Sequence, residues 1–177
     1  MLKLNLGCGE KILEGYENID IRPLPGVIQA DVRNLSYSEN SIDEILAIDV
    51  LEHLSHHETV ATLIHWMSLL KPGGKLYLQG PCLPVIAGHG FSSNDPEVLL
   101  TTIRLLYGNQ NYPENTHRTC LHPILLRKWL VLDLGIPEEN IYFSSDLGFN
   151  VKVLIIKPEA SHDSEGNSGT VESGQAV

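Results

Sequence analysis

A glycine turn and three later aspartates carry most of the chemistry this sequence can perform. Leu4-Asn5-Leu6 reads as a strand running into Gly7-Cys8-Gly9. Glycines at such a turn let the backbone come close to a ligand, because a Cβ would fill the space. Asp20, Asp31 and Asp49 each follow a short apolar run. All three fall at carboxyl ends of expected strands, the edge where open α/β sheets bind ligands. A carboxylate at Asp20 can accept from both hydroxyls of a ribose, and one at Asp31 from the amino group of an adenine. A lone aspartate after a strand is usually a turn former or helix cap. Three in register with a glycine turn favour a nucleoside pocket.

The elements that must hold these residues follow from pattern. Strands are expected at Leu2–Leu6, Glu17–Ile21, Val27–Ala30, Ile42–Ile48 and Lys75–Gln79. Between the last two, Glu58–Leu70 predicts a helix: Val60, Leu63, Ile64, Met67 and Leu70 fall at offsets 0, 3, 4, 7 and 10. Lys71-Pro72-Gly73-Gly74 is expected to stop it. Pro81 to Asn94 reads as loop, Pro96–Tyr107 as helix capped by Gly108, and Asn109–Thr119 as irregular. A helix opens at Pro123 and ends before Gly135, and Asn140–Ser144 with Asn150–Ile156 form a hairpin around Asp146-Leu147-Gly148. Strand alternating with helix predicts a doubly wound, mainly parallel α/β sheet.

The 177 residues suit one domain, taken as 1–158, with an acidic, apolar-poor tail at 159–177 expected to be disordered. Of the net charge of −10, four acids belong to that tail, which leaves about −6 on the body. That sign disfavours bulk nucleic acid as a partner. Cys8, Cys82 and Cys120 show no CxxC pairing, so neither a disulfide framework nor a metal site is read from them. No apolar run approaches the ~20 residues of a membrane span and no signal-peptide core is seen, so a cytoplasmic setting is the expectation.

Six segments in order resemble the class I S-adenosylmethionine-dependent methyltransferases. They are Leu4-Asn5-Leu6-Gly7-Cys8-Gly9, Asn18-Ile19-Asp20-Ile21, Ala30-Asp31-Val32, Ser41-Ile42-Asp43-Glu44-Ile45, Val50-Leu51-Glu52-His53-Leu54, and Leu70-Lys71-Pro72-Gly73-Gly74-Lys75-Leu76. The likeness is nearest to small bacterial-type members with LGCG followed quickly by NIDI. It implies a Rossmann-like, seven-stranded sheet ending in an antiparallel hairpin, with S-adenosylmethionine as cofactor. It further implies that Gly7 to Gly9 line the methionine and ribose, Asp20 holds the ribose hydroxyls, Asp31 and Val32 the adenine, and Asp49 borders the sulfonium. Asn5 departs from the acid that members usually carry there; its amide can still bond the cofactor's amino group or a water. Asp20 stands thirteen positions after Gly7, so the first crossover helix is expected to be short or partly unwound.

A sulfonium methyl is already activated, so a base is needed only where the acceptor must lose a proton. His53 and His117 are the candidates for that duty; Glu52, His89 and Arg118 also lie in segments that could border an acceptor. Each has a bland alternative: Glu52 and His53 as a helix start supporting the cofactor loop, His89 as merely exposed. His56 and His57 are expected to face solvent, and Trp66 and Trp129 to pack. The acceptor expected from the resemblance is a small hydroxyl-bearing metabolite or glycan precursor. A nicotinamide dehydrogenase would want glycine at Ile12 and leaves Asp31 unexplained. A non-catalytic cofactor-binding or scaffold protein of the same fold stays open.

Overall fold

Parallel strands covered on both faces bury apolar side chains on each, and the central strands here do so apart from buried Asn5, Asn18 and Asp20. Leu4, Leu6, Ile19, Ile45 and Ala47 are all buried. The computed structural model describes residues 1–144 and 148–159. Apart from Glu159, the tail expected to be disordered lies outside them, as does the Asp146-Leu147 part of the turn. The strands are β1 (Lys3–Leu6), β2 (Glu17–Asp20), β3 (Ile28–Gln29), β4 (Ile42–Ile48), β5 (Leu70–Pro81), β6 (Ile141–Phe143) and β7 (Asn150–Ile156). They form one seven-stranded sheet in the order β3-β2-β1-β4-β5-β7-β6. β1 to β5 pair parallel, while β7 runs antiparallel between β5 and β6. This is the doubly wound α/β sheet with the C-terminal hairpin expected from sequence.

Helix α1 (His56–Leu69) starts at a capping box in which Ser55 and Glu58 exchange hydrogen bonds. Its buried face is Thr59, Thr62, Leu63, Trp66, Met67 and Leu69, whereas Ile64 is 49% exposed. The expected stripe through Val60 and Ile64 is therefore rotated, because fully buried Trp66 sets the packed face. The helix ends before Lys71-Pro72-Gly73-Gly74, and β5 already begins at Leu70. The basic residue at its end comes from afar: Lys157 Nζ donates to Leu70 O at 2.7 Å and Ser68 O at 3.3 Å. Lys71 instead pairs with Asp43 at 2.8 Å.

The stretch expected as loop after β5 holds a helix, α2 (Leu83–Phe91), packed on α3 (Pro96–Tyr107). Its glycines misled the pattern. A Cβ on Gly90 would sit 2.5 Å from Thr102 Cγ2, so that glycine serves close helix packing rather than a turn. α4 (Pro123–Lys128) continues as a π-helical turn over Trp129–Asp133. Trp66 and Trp129 are both buried, as expected of packing residues. The three cysteines are free. No helix among the described residues is long and apolar enough to cross a membrane.

Between β1 and β2 no helix forms; two asparagines organise the chain instead. Asn5 Nδ2 donates to Lys11 O at 3.0 Å and to Asn18 Oδ1 at 2.8 Å. Asn18 Oδ1 also accepts from Leu13 N at 2.9 Å, and Asn18 Nδ2 donates to Leu13 O and Tyr16 O. Both side chains are buried, so these bonds satisfy backbone groups that a helix would otherwise have paired. At the turn itself Gly7 has φ of 58°, and a Cβ there would lie 2.7 Å from Val50 Cγ2.

Two stability changes follow. Asn5→Asp, which installs the acid usual in the resembled family, puts a carboxylate against Lys11 O and Asn18 Oδ1. It should destabilise by about 1–3 kcal/mol in urea unfolding; an unchanged midpoint would contradict the network. Gly7→Ala combines left-handed backbone with overlap on branched Val50 and should cost about 1–3 kcal/mol by the same measurement.

Candidate functional site

One cleft of about 240 Å³ lies along the carboxyl ends of β1, β2 and β4 and the loop after β3. Gly7 and Gly9 form its floor, with Asp20, Asp31, Val32, Asp49 and His53 around it. Asp49 is held at φ of 55°, a left-handed conformation uncommon for a residue with a Cβ, by its N–H bond to Gln79 O at 2.9 Å. Such strain concentrates at functional sites. Val32 is fixed from behind: Trp66 Nε1 donates to its carbonyl at 2.8 Å. The largest buried side chain thus positions the cleft wall.

Of the three carboxylates read from sequence, Asp20 and Asp31 face this cleft each with an arginine. Asp20 Oδ2 accepts from Gly9 N at 2.8 Å, and Oδ1 from Arg22 N and Nε at 2.9 and 3.1 Å. Burial alone would raise its pKa, but the Arg22 and Gly9 hydrogen bonds outweigh that and hold it below the usual carboxylate range. Asp31 is more fully engaged, with both oxygens accepting from Arg33. That bond holds its carboxyl low as well. Arg33 also pairs with Glu58 of the α1 capping box.

The opposite wall comes from the irregular segment 109–119. Tyr112 lies under the Arg22 guanidinium, 4.5 Å from ring centroid to Cζ. Arg118 N and Thr119 N both donate to Glu52 O, at 2.7 and 3.1 Å, which ties this wall to the turn after β4. His53 and His117 are brought together edge to face with centroids 5.0 Å apart. Burial lowers the pKa of each, with the His53 imidazole adding to the effect on His117. Glu52 is 1% exposed and its Oε2 has no hydrogen-bond partner among the described residues. Burial pushes its carboxyl up to about 8.

Most expected site residues meet at the cleft: Gly7, Gly9, Asp20, Asp31, Val32, Asp49, His53 and Arg118 line it. Asn5 does not; its amide is spent beneath the turn on Lys11 and Asn18. In this structure its side chain holds the turn. His117 stands behind His53 without lining the cleft. His89 is not in a loop but on α2, exposed, against Phe149. His56 and His57 are exposed as expected. Sequence reasoning missed Arg22, Arg33, Tyr112 and Thr116. The two arginines each stand two residues after a site aspartate, a signal that was present; Tyr112 and Thr116 sit in a patternless stretch that carried none.

Residues 11–78 match the family model described as a methyltransferase domain. No curated protein matches the chain in sequence. Among solved structures, a SAM-dependent methyltransferase from Archaeoglobus fulgidus is similar at 15% identity and TM-score 0.62, covering 88% of this chain and 85% of that one. The plantazolicin methyltransferase BpumL, solved with a triazolic desmethylPZN analogue and SAH, aligns at 13% identity and TM-score 0.59, over 90% and 77% of the two chains. The CMeT domain of citrinin polyketide synthase aligns at 13% identity and TM-score 0.58; this chain spans about half of it, 47%, with 90% of its own length. The matched segment contains Asp20, Asp31, Asp49 and His53. The chain thus shares the fold of the S-adenosylmethionine-dependent methyltransferases, and its residues 11–78 are similar in sequence to a methyltransferase domain.

Proposed function

We propose that this chain is an S-adenosylmethionine-dependent methyltransferase acting on a small hydroxyl-bearing metabolite or glycan precursor. Enzyme class and cofactor rest on the family match and the fold. The acceptor, a cytoplasmic setting and kinship with the small LGCG…NIDI members are this reading's finer claims. The observation that carries it is the convergence of Gly9, Asp20, Asp31 and Val32 on one cleft that His53 also lines.

The residues fit an adenosyl group. Among the described residues Asp20 Oδ2 receives only the Gly9 N–H, so it keeps a lone pair for a ribose hydroxyl. Gly9 has φ of 55°, and the atom nearest its missing Cβ is Arg22 Nη2 at 3.3 Å, a flexible side-chain end. Val32 offers an apolar edge beside Asp31 for the base. Both Asp31 oxygens are held by Arg33, whose side chain is 36% exposed and free to give way to an adenine amino group. When bound, the cofactor supplies a sulfonium methyl for in-line displacement and departs as the neutral thioether.

The chain's own work is then alignment and proton removal. Holding an acceptor at near-attack distance supplies ~7–11 kcal/mol. His53 meets Thr116 O through Nδ1 at 3.3 Å, which leaves Nε2 as the basic nitrogen beside the cleft. That nitrogen takes the proton of an acceptor hydroxyl as its oxygen bonds to carbon. The negative charge of the chain and its lack of a membrane-spanning helix among the described residues support a small acceptor over nucleic acid or lipid.

Calorimetry with S-adenosylhomocysteine tests the cofactor site. Asp20→Ala should weaken binding roughly 10-fold or more, since hydrogen bonds to a charged group contribute about 1.5–3 kcal/mol. Equal affinity in the two proteins would remove the assignment. With a panel of hydroxyl acceptors, His53→Ala should lower turnover by about 10²-fold or more. Tight cofactor binding with no transfer to any acceptor would favour the scaffold alternative.

A further inference from the structure

Behind the cleft wall, residues far apart in the chain assemble a donor set that the sequence did not reveal. One ligand atom each from Glu52, His53 and His117 lies within 4.8 Å of the other two. We propose that Glu52, His53 and His117 bind a divalent transition cation, zinc by donor chemistry, at the edge of the cofactor cleft.

Three independent features support it. First, both imidazoles are oriented as ligating histidines are. His53 Nδ1 contacts Thr116 O at 3.3 Å and His117 Nδ1 contacts Leu105 O at 3.1 Å. Spending Nδ1–H on a backbone carbonyl fixes the tautomer and leaves the Nε2 lone pair for a metal. Second, Glu52 Oε2 is fully buried without a partner. A buried polar atom of this kind demands an explanation, and no Lys or Arg pairs with Glu52 in the described ion pairs. A bound cation supplies the missing charge. Third, two imidazoles and a carboxylate are the ligand types of three-residue zinc sites that keep a fourth position open.

Geometry sets a modest demand. Donors around tetrahedral zinc at ~2.0–2.1 Å stand about 3.3 Å apart, so rotation of side chains by the order of an ångström closes the set. Because His53 also lines the cleft, the cation borders the space where an acceptor would sit. In that position it orients an oxygen-bearing acceptor and favours loss of the hydroxyl proton to water as the carbon–oxygen bond forms. In the zinc-bound protein the His53 Nε2 lone pair is spent on the cation and the proton goes to water; in the metal-free protein His53 takes it directly. This role rests on the methyl-transfer reading; the binding of the cation does not.

The test is zinc calorimetry on chelator-stripped full-length chain, with cobalt(II) absorption as a second readout of coordination. The expected result is one zinc per chain, weakened 10-fold or more in Glu52→Gln, His53→Ala and His117→Ala alike. A His56→Ala/His57→Ala protein, which removes the exposed pair whose rings lie 3.8 Å apart, should keep the wild-type affinity. Circular dichroism checks that each variant is folded; if Glu52→Gln is not, the His117→Ala comparison decides. Zinc binding unaffected by those substitutions, or lost with His56 and His57, overturns the proposal. S-Adenosylhomocysteine titration of the wild type separates the two readings. Cofactor binding without zinc defeats only the metal site, and zinc without cofactor defeats only the methyltransferase.

Discussion

Parallel pairing of β1 with β2 on one side and β4 on the other is the constraint from which the site follows. The chain leaves β1 toward β2 and β3, then must return across the sheet to lay β4 against β1's free edge. The loops at the carboxyl ends of those strands consequently diverge, and a crevice opens between them. Gly7, Asp20, Asp31 and Asp49 stand at that crevice because each ends or closely follows one of the strands that make it. Nothing else in the fold is needed to bring them together, and any register slip would scatter them.

Around that crevice the protein arranges charge before a ligand arrives. Asp20 is steadied by a Gly9 N–H and by Arg22, while Arg33 spans Asp31 and the capping glutamate Glu58. Arg22 in turn lies on Tyr112, so the far wall is coupled to Asp20. The carboxylates are thereby kept ionised and oriented despite partial burial. On the proposed reading, a cofactor entering this cleft exchanges places with guanidinium groups already paired to these acids rather than ordering loose acids. Glu52 is the exception in this well-paired region, and its orphaned oxygen is what singles out the histidine pair.

Much of this was legible from residue order. Ile42–Ile48 is a strand over the residues expected, and the alternation before Pro81 led correctly to a parallel sheet. The placement of the aspartates at the cleft was legible because it is local: each ends or follows a strand at the carboxyl edge of the sheet. What failed was context supplied by distant packing. Gly90 and Pro84 looked like loop residues, yet one permits helix contact at Thr102 and the other opens α2. Asn5 looked like a weakened cofactor contact, yet it replaces the hydrogen bonds of an absent helix. His117 could not be placed beside His53 by spacing, since their meeting depends on how segment 109–119 folds back onto Glu52.

The central claim is an adenosyl pocket between two held carboxylates, and a crystal structure with S-adenosylhomocysteine bound tests it most directly. The account predicts ribose hydroxyls on Asp20, the base beside Val32, and Arg33 moved away from at least one Asp31 oxygen. A ligand seated anywhere other than between Asp20 and Asp31 would contradict it.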